Sequence, residues 1–360
     1  MSEIGALGYL AIFAGSTVLG LVLVPLALRV ALRRGILDHP GGHKSHSDPV
    51  PYLGGVAIAL AFSIAVSAAA LLRPPDDTLV EVLALLGSAV AVSLLGLLDD
   101  LRGLGPVPRL VVVTVAALVL AGVGIRVDLF DAVAIDVIVT VVWILGVTNA
   151  FNLLDNMDGL AAGVAAIGAG AFFLIAAVHG QFLVAALSVA LLGCSLAFLR
   201  HNLHPARMYM GDAGSLFLGF LLAALGVKLS LPTSPVIAAF VPVLVLGMAL
   251  LDTALVVVTR LARGRSPLQG GRDHISHRLV VAGASPRFAV LLVHLTAFGL
   301  GWLGLVMARL EDLLTAYLLL GFTLASLLVA GVLLALVPVG DAPERPAPAL
   351  GSDERRQRPS

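Results

Sequence analysis

AVAIDVIVTVVWILGVTNAFNLLDNMDGL, residues Ala132 to Leu160, changes character partway along. From Ala132 to Thr148 it is an apolar run interrupted only by Asp136 and Thr140. From Asn149 it turns polar, with Asn149, Asn152, Asp155, Asn156 and Asp158 in quick succession before Gly159. The first half has about the length of a helix that crosses a hydrocarbon core of about 30 Å. The second half is a polar block held at the end of that span. Both halves recur along the chain.

Eleven apolar runs can be drawn: Ile4–Val30, Leu53–Leu72, Val80–Leu98, Leu110–Ile125, Ala132–Thr148, Leu160–Val178, Phe182–Leu199, Ser215–Leu229, Pro235–Thr259, Phe288–Met307 and Leu313–Val337. The composition agrees: 59% of the 360 residues are hydrophobic, 12% are charged, and the mean hydropathy is +1.04. A soluble domain carries about 25% charged residues. The sequence therefore predicts an all-α, polytopic membrane protein with about eleven transmembrane helices. The first run is too long for a signal-peptide core and has no cationic start, so it reads as a retained helix. Cys194 stands alone in an apolar run and forms no disulfide framework. Residues 1–340 read as one transmembrane domain with active-site loops. Residues 341–360, rich in Pro, Arg and Glu, read as a disordered tail.

Alternation of loops across eleven spans sorts the cations. Of the 22 Lys and Arg residues, only Arg73, Arg126, Lys228 and Arg309 fall on one side. The positive-inside rule puts the other set in the cytoplasm, with the N-terminus outside and the C-terminus cytoplasmic. The formal net charge is zero, which argues against a nucleic-acid binder.

Five polar clusters fall on that cytoplasmic side. The first is the loop Asp38–Gly55, where Lys44 and His46 can meet a phosphate; a loop that merely fixes topology is the alternative. The second is Asp99-Asp100, ending an apolar helix. Adjacent carboxylates repel and point about 100° apart on a helix, so one can hold a metal while the other faces a neighbour or a phosphate. The third is Asn149–Leu160, the strongest signal. On a straight helix Asn149, Asn152 and Asn156 share a face and Asp155 neighbours Asp158. Asn149 and Asp158 would lie opposite each other, which predicts a bend near Asp158-Gly159. The fourth contains Asp212 between Gly211 and Gly214, where backbone N–H groups can approach an anion at a helix start; a helix cap is the alternative. His201 and His204 nearby lack the further ligands that zinc needs. The fifth is the loop Arg260–Arg287, whose His274 and His277, with Arg272 and Arg278 beside them, suit a diphosphate or a nucleotide. Asp252 lies within an apolar run, and an intramembrane carboxylate is a functional candidate by default.

Carboxylates at several helix ends, with no Cys or His ligand set, favour a hard cation such as Mg²⁺, held by one or two carboxylates plus substrate phosphates. A site at the membrane surface suits a lipid phosphate meeting a soluble nucleotide sugar. A transporter is the rival from another class. It predicts ionisable groups near the midplane and repeated halves; Asp252 is the one such residue, and no repeat is visible.

In these motifs the chain resembles the polyprenyl-phosphate N-acetylhexosamine-1-phosphate transferases, glycosyltransferase family 4. The matching pieces are Lys44…His46…Pro51…Gly54-Gly55, Asp99-Asp100, the Asn149–Leu160 block, Gly211-Asp212-Ala213-Gly214-Ser215-Leu216, Asp252-Thr253 and the His-rich loop. The resemblance implies transfer of a sugar 1-phosphate from a UDP-N-acetylhexosamine to undecaprenyl or another polyprenyl phosphate, with Mg²⁺ (Mn²⁺ as a substitute), releasing UMP. It implies catalytic roles for Asp99, Asp100, Asp155 and Asp158, and metal ligation by Asp212, Asp99 and Asp100. It implies substrate binding by Lys44, His46, Asn149, Asn152, Asp252, His274, His277 and Arg278. The short first loop and His274-Ile275-Ser276-His277 resemble the branch that uses UDP-N-acetylglucosamine; the alternative is the phospho-N-acetylmuramoyl-pentapeptide branch or another N-acetylhexosamine donor. The implied setting is the cytoplasmic membrane, at the start of a cell-envelope glycan pathway, and a homodimer stays open. The sequence departs from the family's pattern at Asn156 (usually Gly), Ser276 (usually His) and His43 (often Arg).

Overall fold

Inside a hydrocarbon layer an apolar run has no polar partner for its backbone but itself, so it closes into a helix. A computed structural model of the chain describes residues 5–38, 49–72, 78–266 and 271–338. Lys44, His46 and the 341–360 tail lie outside the described residues. Among those described the order is α1 (Ala6–Arg34), β1 (Leu37–Asp38), β2 (Val50–Pro51), α2 (Gly54–Leu72), α3 (Leu79–Arg102), α4 (Pro106–Gly122), α5 (Val133–Leu154), α6 (Leu160–Val178) and α7 (Phe182–Asn202). Then come α8 (Gly211–Lys228), α9 (Pro235–Val245), α10 (Gly247–Ala262), α11 (Ile275–Val281), α12 (Pro286–Met307) and α13 (Leu313–Ala335). The two short strands pair antiparallel, Leu37 opposite Pro51.

Nine of the described helices are long and apolar enough to cross a membrane; α9 and α10 together make a tenth span, and α4, at 17 residues, is a shorter apolar helix. All eleven apolar runs are thus helical, and the chain is an all-α polytopic membrane protein. The ninth run is not one straight rod. It breaks at Leu246 into α9 and α10, bent by 78°. Pro242 lacks an N–H and its ring crowds the preceding turn, and Gly247 follows directly; both weaken the helix there. The longest inside loop also holds a helix the apolar pattern did not show, the seven-residue α11.

At the centre stands α8, packed against α2, α3, α5 and α6. Hydrophobic residues do not drive association between helices already in an apolar medium, so small residues that permit close approach do the work. A Cβ on Gly214 would lie 2.7 Å from the Cα of Gly55, and one on Gly219 would lie 2.9 Å from the Cα of Thr148. A Cβ on Gly96 of α3 would run into the backbone carbonyl of Asp212. These helices meet backbone to backbone. At the periphery, only 6% of the α13 apolar window and 17% of that of α1 are buried, so both turn their apolar side chains outward.

Candidate active site

The site is assembled at one end of the bundle, where the last turns of α3, α5 and α7 and the first turn of α8 come together. Its floor is the junction of α3 with α8. α8 begins at Gly211, earlier than the apolar run indicates, which puts Asp212 in its first turn. The Asp100 carboxylate accepts the backbone N–H of Asp212 at 2.8 Å and of Ala213 at 3.1 Å. It therefore closes the exposed donors of the α8 N-terminus with a negative charge, the favourable sign for that end of a helix. Gly211, at φ 68°, makes this approach feasible: a Cβ there would sit 2.5 Å from the Asp100 carboxylate oxygen.

Asp99, the adjacent carboxylate, points elsewhere, as the helical offset requires. It is buried, accepts the Gly105 N–H at 3.2 Å, and lies 3.0 Å from the Nε of Arg109. Arg109 enters from the first turn of α4. Its Nη1 donates to Asp212 at 2.8 Å and to the Asn152 side-chain oxygen at 3.0 Å. Asn152 in turn donates to the other Asp212 oxygen at 2.8 Å and to Ser215 Oγ at 3.0 Å. One guanidinium thus spans two carboxylates and an amide. In the sequence Arg109 counts only among the cytoplasmic charges; its position at the head of an apolar run, shortly after two carboxylates, is the feature that marks it.

One wall is the polar block that follows Thr148. α5 ends at Leu154, and residues 155–159 form a turn before α6. The break therefore starts at Asp155, earlier than the expected bend near Asp158-Gly159. Gly159, at φ 76°, starts α6 and donates its N–H to Asn202 Oδ1 at 3.0 Å. Asp158 is held by His204 Nδ1 at 2.8 Å and by the Ala206 N–H at 3.1 Å. Asp155 has its carboxyl pushed up to about 8, by burial first and then by the charges of Asp212, Asp100 and Asp158. Asn149 stays on the helix and donates to the Leu145 carbonyl one turn back.

The opposite wall is the His-rich segment. Asp252, from α10, accepts His274 Nδ1 and the Ile275 N–H, both at 2.7 Å, and so fixes the start of α11. Arg260 grips Asp273 through two nitrogens, at 2.6 and 2.5 Å. Arg278 is fully buried and donates to the carbonyls of Leu334, Ala335 and Val337 at the end of α13, to Thr259 Oγ1 and to the Asp273 carbonyl. It is a strut rather than a cavity-facing ligand. Arg278→Ala should leave those acceptors unpaired in a void and lower stability by about 3–5 kcal/mol. A thermal melt of the detergent-solubilised variant within a degree or two of wild type would count against that role. His277, by contrast, faces the cavity, and burial followed by the charges of His274 and Arg272 pushes its imidazole down to about 4.

Between these walls opens a cavity of about 580 Å³. Of the residues expected to act, Asp100, Asn152, Asp155, Asp158, Asp212 and His277 line it. Asp99, Asn149, Asp252, His274 and Arg278 are not among its lining. Arg272, expected beside the His pair, lines it too, and unforeseen lining residues are Tyr52, Asn202 and Tyr209. Among the described residues no three carboxylates or imidazoles converge tightly enough to enclose a metal ion by themselves. Magnesium ordinarily takes only one or two carboxylates and completes its shell with phosphates and water. A pocket of carboxylates that raise one another's proton affinity fits such a cation.

The raised Asp155 has a stability consequence. In the unfolded chain this carboxyl ionises near pH 4, whereas in the fold it keeps its proton up to about pH 8. The unfolded state then binds fewer protons between about pH 4 and about pH 8, so stability falls as pH rises through that window. Without divalent ions, Asp155→Asn should flatten the fall in melting temperature across it; an unchanged slope would contradict the assignment.

Comparison with known proteins agrees with this architecture. Residues 82–230 match the glycosyl transferase family 4 model, from α3 to just past α8. A Bacillus subtilis protein described as a probable undecaprenyl-phosphate N-acetylglucosaminyl 1-phosphate transferase is 31% identical over 287 residues, covering 77% of this chain and 79% of its own. A decaprenyl-phosphate N-acetylglucosaminephosphotransferase of Mycolicibacterium smegmatis is 32% identical over 310 residues, covering 77% and 75%. A phospho-N-acetylmuramoyl-pentapeptide-transferase of Bacillus velezensis is 35% identical over a shorter 230 residues, 58% of this chain. Shared sequence over most of both chains, and a multi-pass helical frame gathering acidic helix ends into one cavity, place this protein in glycosyl transferase family 4.

Proposed function

We propose that the protein transfers N-acetylglucosamine 1-phosphate from UDP-N-acetylglucosamine to undecaprenyl or another polyprenyl phosphate, forming the lipid diphosphate-sugar and UMP. The observation that carries this reading is the single cavity in which Asp100, Asp155, Asp158 and Asp212 face Arg272 and His277. Carboxylates from separate helix ends opposite cationic or neutral donors suit a cation-neutralised pair of phosphates. The names of the two N-acetylglucosamine relatives, which cover more of this chain than the pentapeptide transferase, favour the donor. The Lys and Arg asymmetry supports a cavity facing the cytoplasm, where the nucleotide sugar is made.

Asp212, with Asp155 and Asp100 beside it, would hold Mg²⁺, which when bound supplies charge neutralisation on the transferring phosphoryl group. The chain's own residues do the rest. Arg109 and Asn152 fix both oxygens of Asp212. His277 and Arg272 offer donors to the diphosphate. A lipid phosphate has its second pKa near 6, so it is already largely dianionic at neutral pH and needs no strong base. One of its oxygens forms a bond to the sugar-bearing phosphorus, the bond to the bridging oxygen breaks, and UMP leaves with that oxygen. Direct attack is favoured over an aspartyl intermediate because Asp100 is occupied by two backbone N–H groups and Asp99 is buried against Arg109.

The test uses membranes containing the protein, polyprenyl phosphate and UDP-N-acetylglucosamine labelled in the sugar. Lipid-extractable label that disappears in EDTA supports the reading, and the released sugar identifies the donor. UMP formed without any lipid phosphate would rule out direct attack.

A further inference from the structure

The two walls of the cavity are anchored to different parts of the bundle. The 155–159 turn is tied to the α7–α8 side, through Gly159 to Asn202 and through Asp158 to His204 and Ala206. α11 is tied to α10 through Asp252 and to the end of α13 through Arg278. At seven residues it is too short to hold itself as an isolated helix. Among the described residues a part-buried side-chain hydrogen bond reaches from wall to wall: the Ser276 hydroxyl donates to the Asn156 side-chain oxygen at 2.7 Å, across 120 residues of chain. The amide's orientation is fixed from its other end, where its nitrogen donates to the Leu153 carbonyl at 3.0 Å. Ser276 is 1% exposed, while Asn156 lines the cavity. Asn156 directly follows Asp155, and Ser276 directly precedes His277. The bond thus joins the immediate neighbours of two cavity groups that face each other.

We propose that Asn156 and Ser276 form a positioning pair that sets the gap between the acidic turn and His277, and through it the grip on the nucleotide diphosphate of the donor. The inference rests on the donor reading given above. Neither side chain touches the reacting atoms; the pair acts by holding Asp155 and His277 in register. Small displacements of groups that clamp a phosphate lower binding and rate without unfolding anything.

The experiment is steady-state kinetics on the purified full-length protein, wild type against Asn156→Ala, Ser276→Ala and the double variant. UDP-N-acetylglucosamine and polyprenyl phosphate are varied separately. Each single change should raise KM for the nucleotide sugar by about fivefold, the worth of one ordinary hydrogen bond. The KM for lipid phosphate should stay at its wild-type value, and the melting temperature should fall by no more than a few degrees, alike in all three variants. The double variant should resemble either single one, because both remove the same bond. Effects that multiply in the double variant overturn the pair. So does an unchanged KM in both single variants, or a loss that follows the melting temperature instead of the nucleotide sugar. Should Ser276→Ala disturb packing at its buried site, Asn156→Ala at the cavity edge reads the same bond. A wild-type protein that leaves UDP-N-acetylglucosamine untouched fails the donor reading; an active wild type with multiplying variants fails only the pair.

Discussion

Arg109→Ala should lower sugar 1-phosphate transfer by about a thousandfold, the scale seen when a preorganised charge is taken from a site of this kind. The guanidinium lies 3.0 Å from Asp99 and 2.8 Å from Asp212, and its side chain is 21% exposed. Without it two neighbouring carboxylates lose their common counter-charge, and Asn152 loses a partner. Asp212 would then swing or take up a proton, and either change removes the oxygen geometry that the reaction uses. Arg109→Lys should recover little. An ammonium is a point charge, whereas the planar guanidinium reaches Asp99 with Nε and Asp212 with Nη1 at the same time. Labelled lipid product measured beside a thermal melt decides the matter. Near-normal transfer by Arg109→Ala in a folded protein would show that the bridge is dispensable.

Asp212→Asn is the second large effect, expected at a thousandfold or more. The substitution keeps shape and volume and removes the charge. One Asp212 oxygen accepts from Arg109 and the other from Asn152, so an amide nitrogen at either position would face a donor with a donor. The variant therefore loses both the anionic ligand and the hydrogen-bond logic that aims it. Excess Mg²⁺ or Mn²⁺ should not restore transfer, because affinity is not the only thing lost. Full activity of Asp212→Asn at high Mg²⁺ would move the cation-binding role to Asp155 and Asp100.

Much of this was legible in the amino-acid sequence. Runs of apolar residues long enough to span a bilayer admit helices and little else, and the eleven runs are all helical. The acidic block after Thr148 announced a site because such residues are costly at the end of a span without a purpose. The bend between α9 and α10 was less visible, since Pro242 is tolerated in many membrane helices and only packing decides whether it breaks one. Direction was the harder matter. Asp99 and Asp100 are adjacent in sequence, yet one faces Arg109 and the other caps α8, a division that depends on how α3 meets two other helices. Arg278 looks like a phosphate ligand in sequence because it follows His277. Only the fold reveals the carbonyls of α13 waiting for it.

The glycine contacts beneath the cavity have a consequence for how such a protein can diversify. Where Gly55 meets Gly214 and Gly96 meets Asp212, the helices leave no room for even a methyl group. Substitution there shifts the start of α8 and with it Asp212, so the base of the site is closed to gradual change. The rim is made of turns and a seven-residue helix held by side-chain bonds, and those can be exchanged one at a time. Changes can thus accumulate around the opening, while the floor that carries Asp100 and Asp212 is inherited whole.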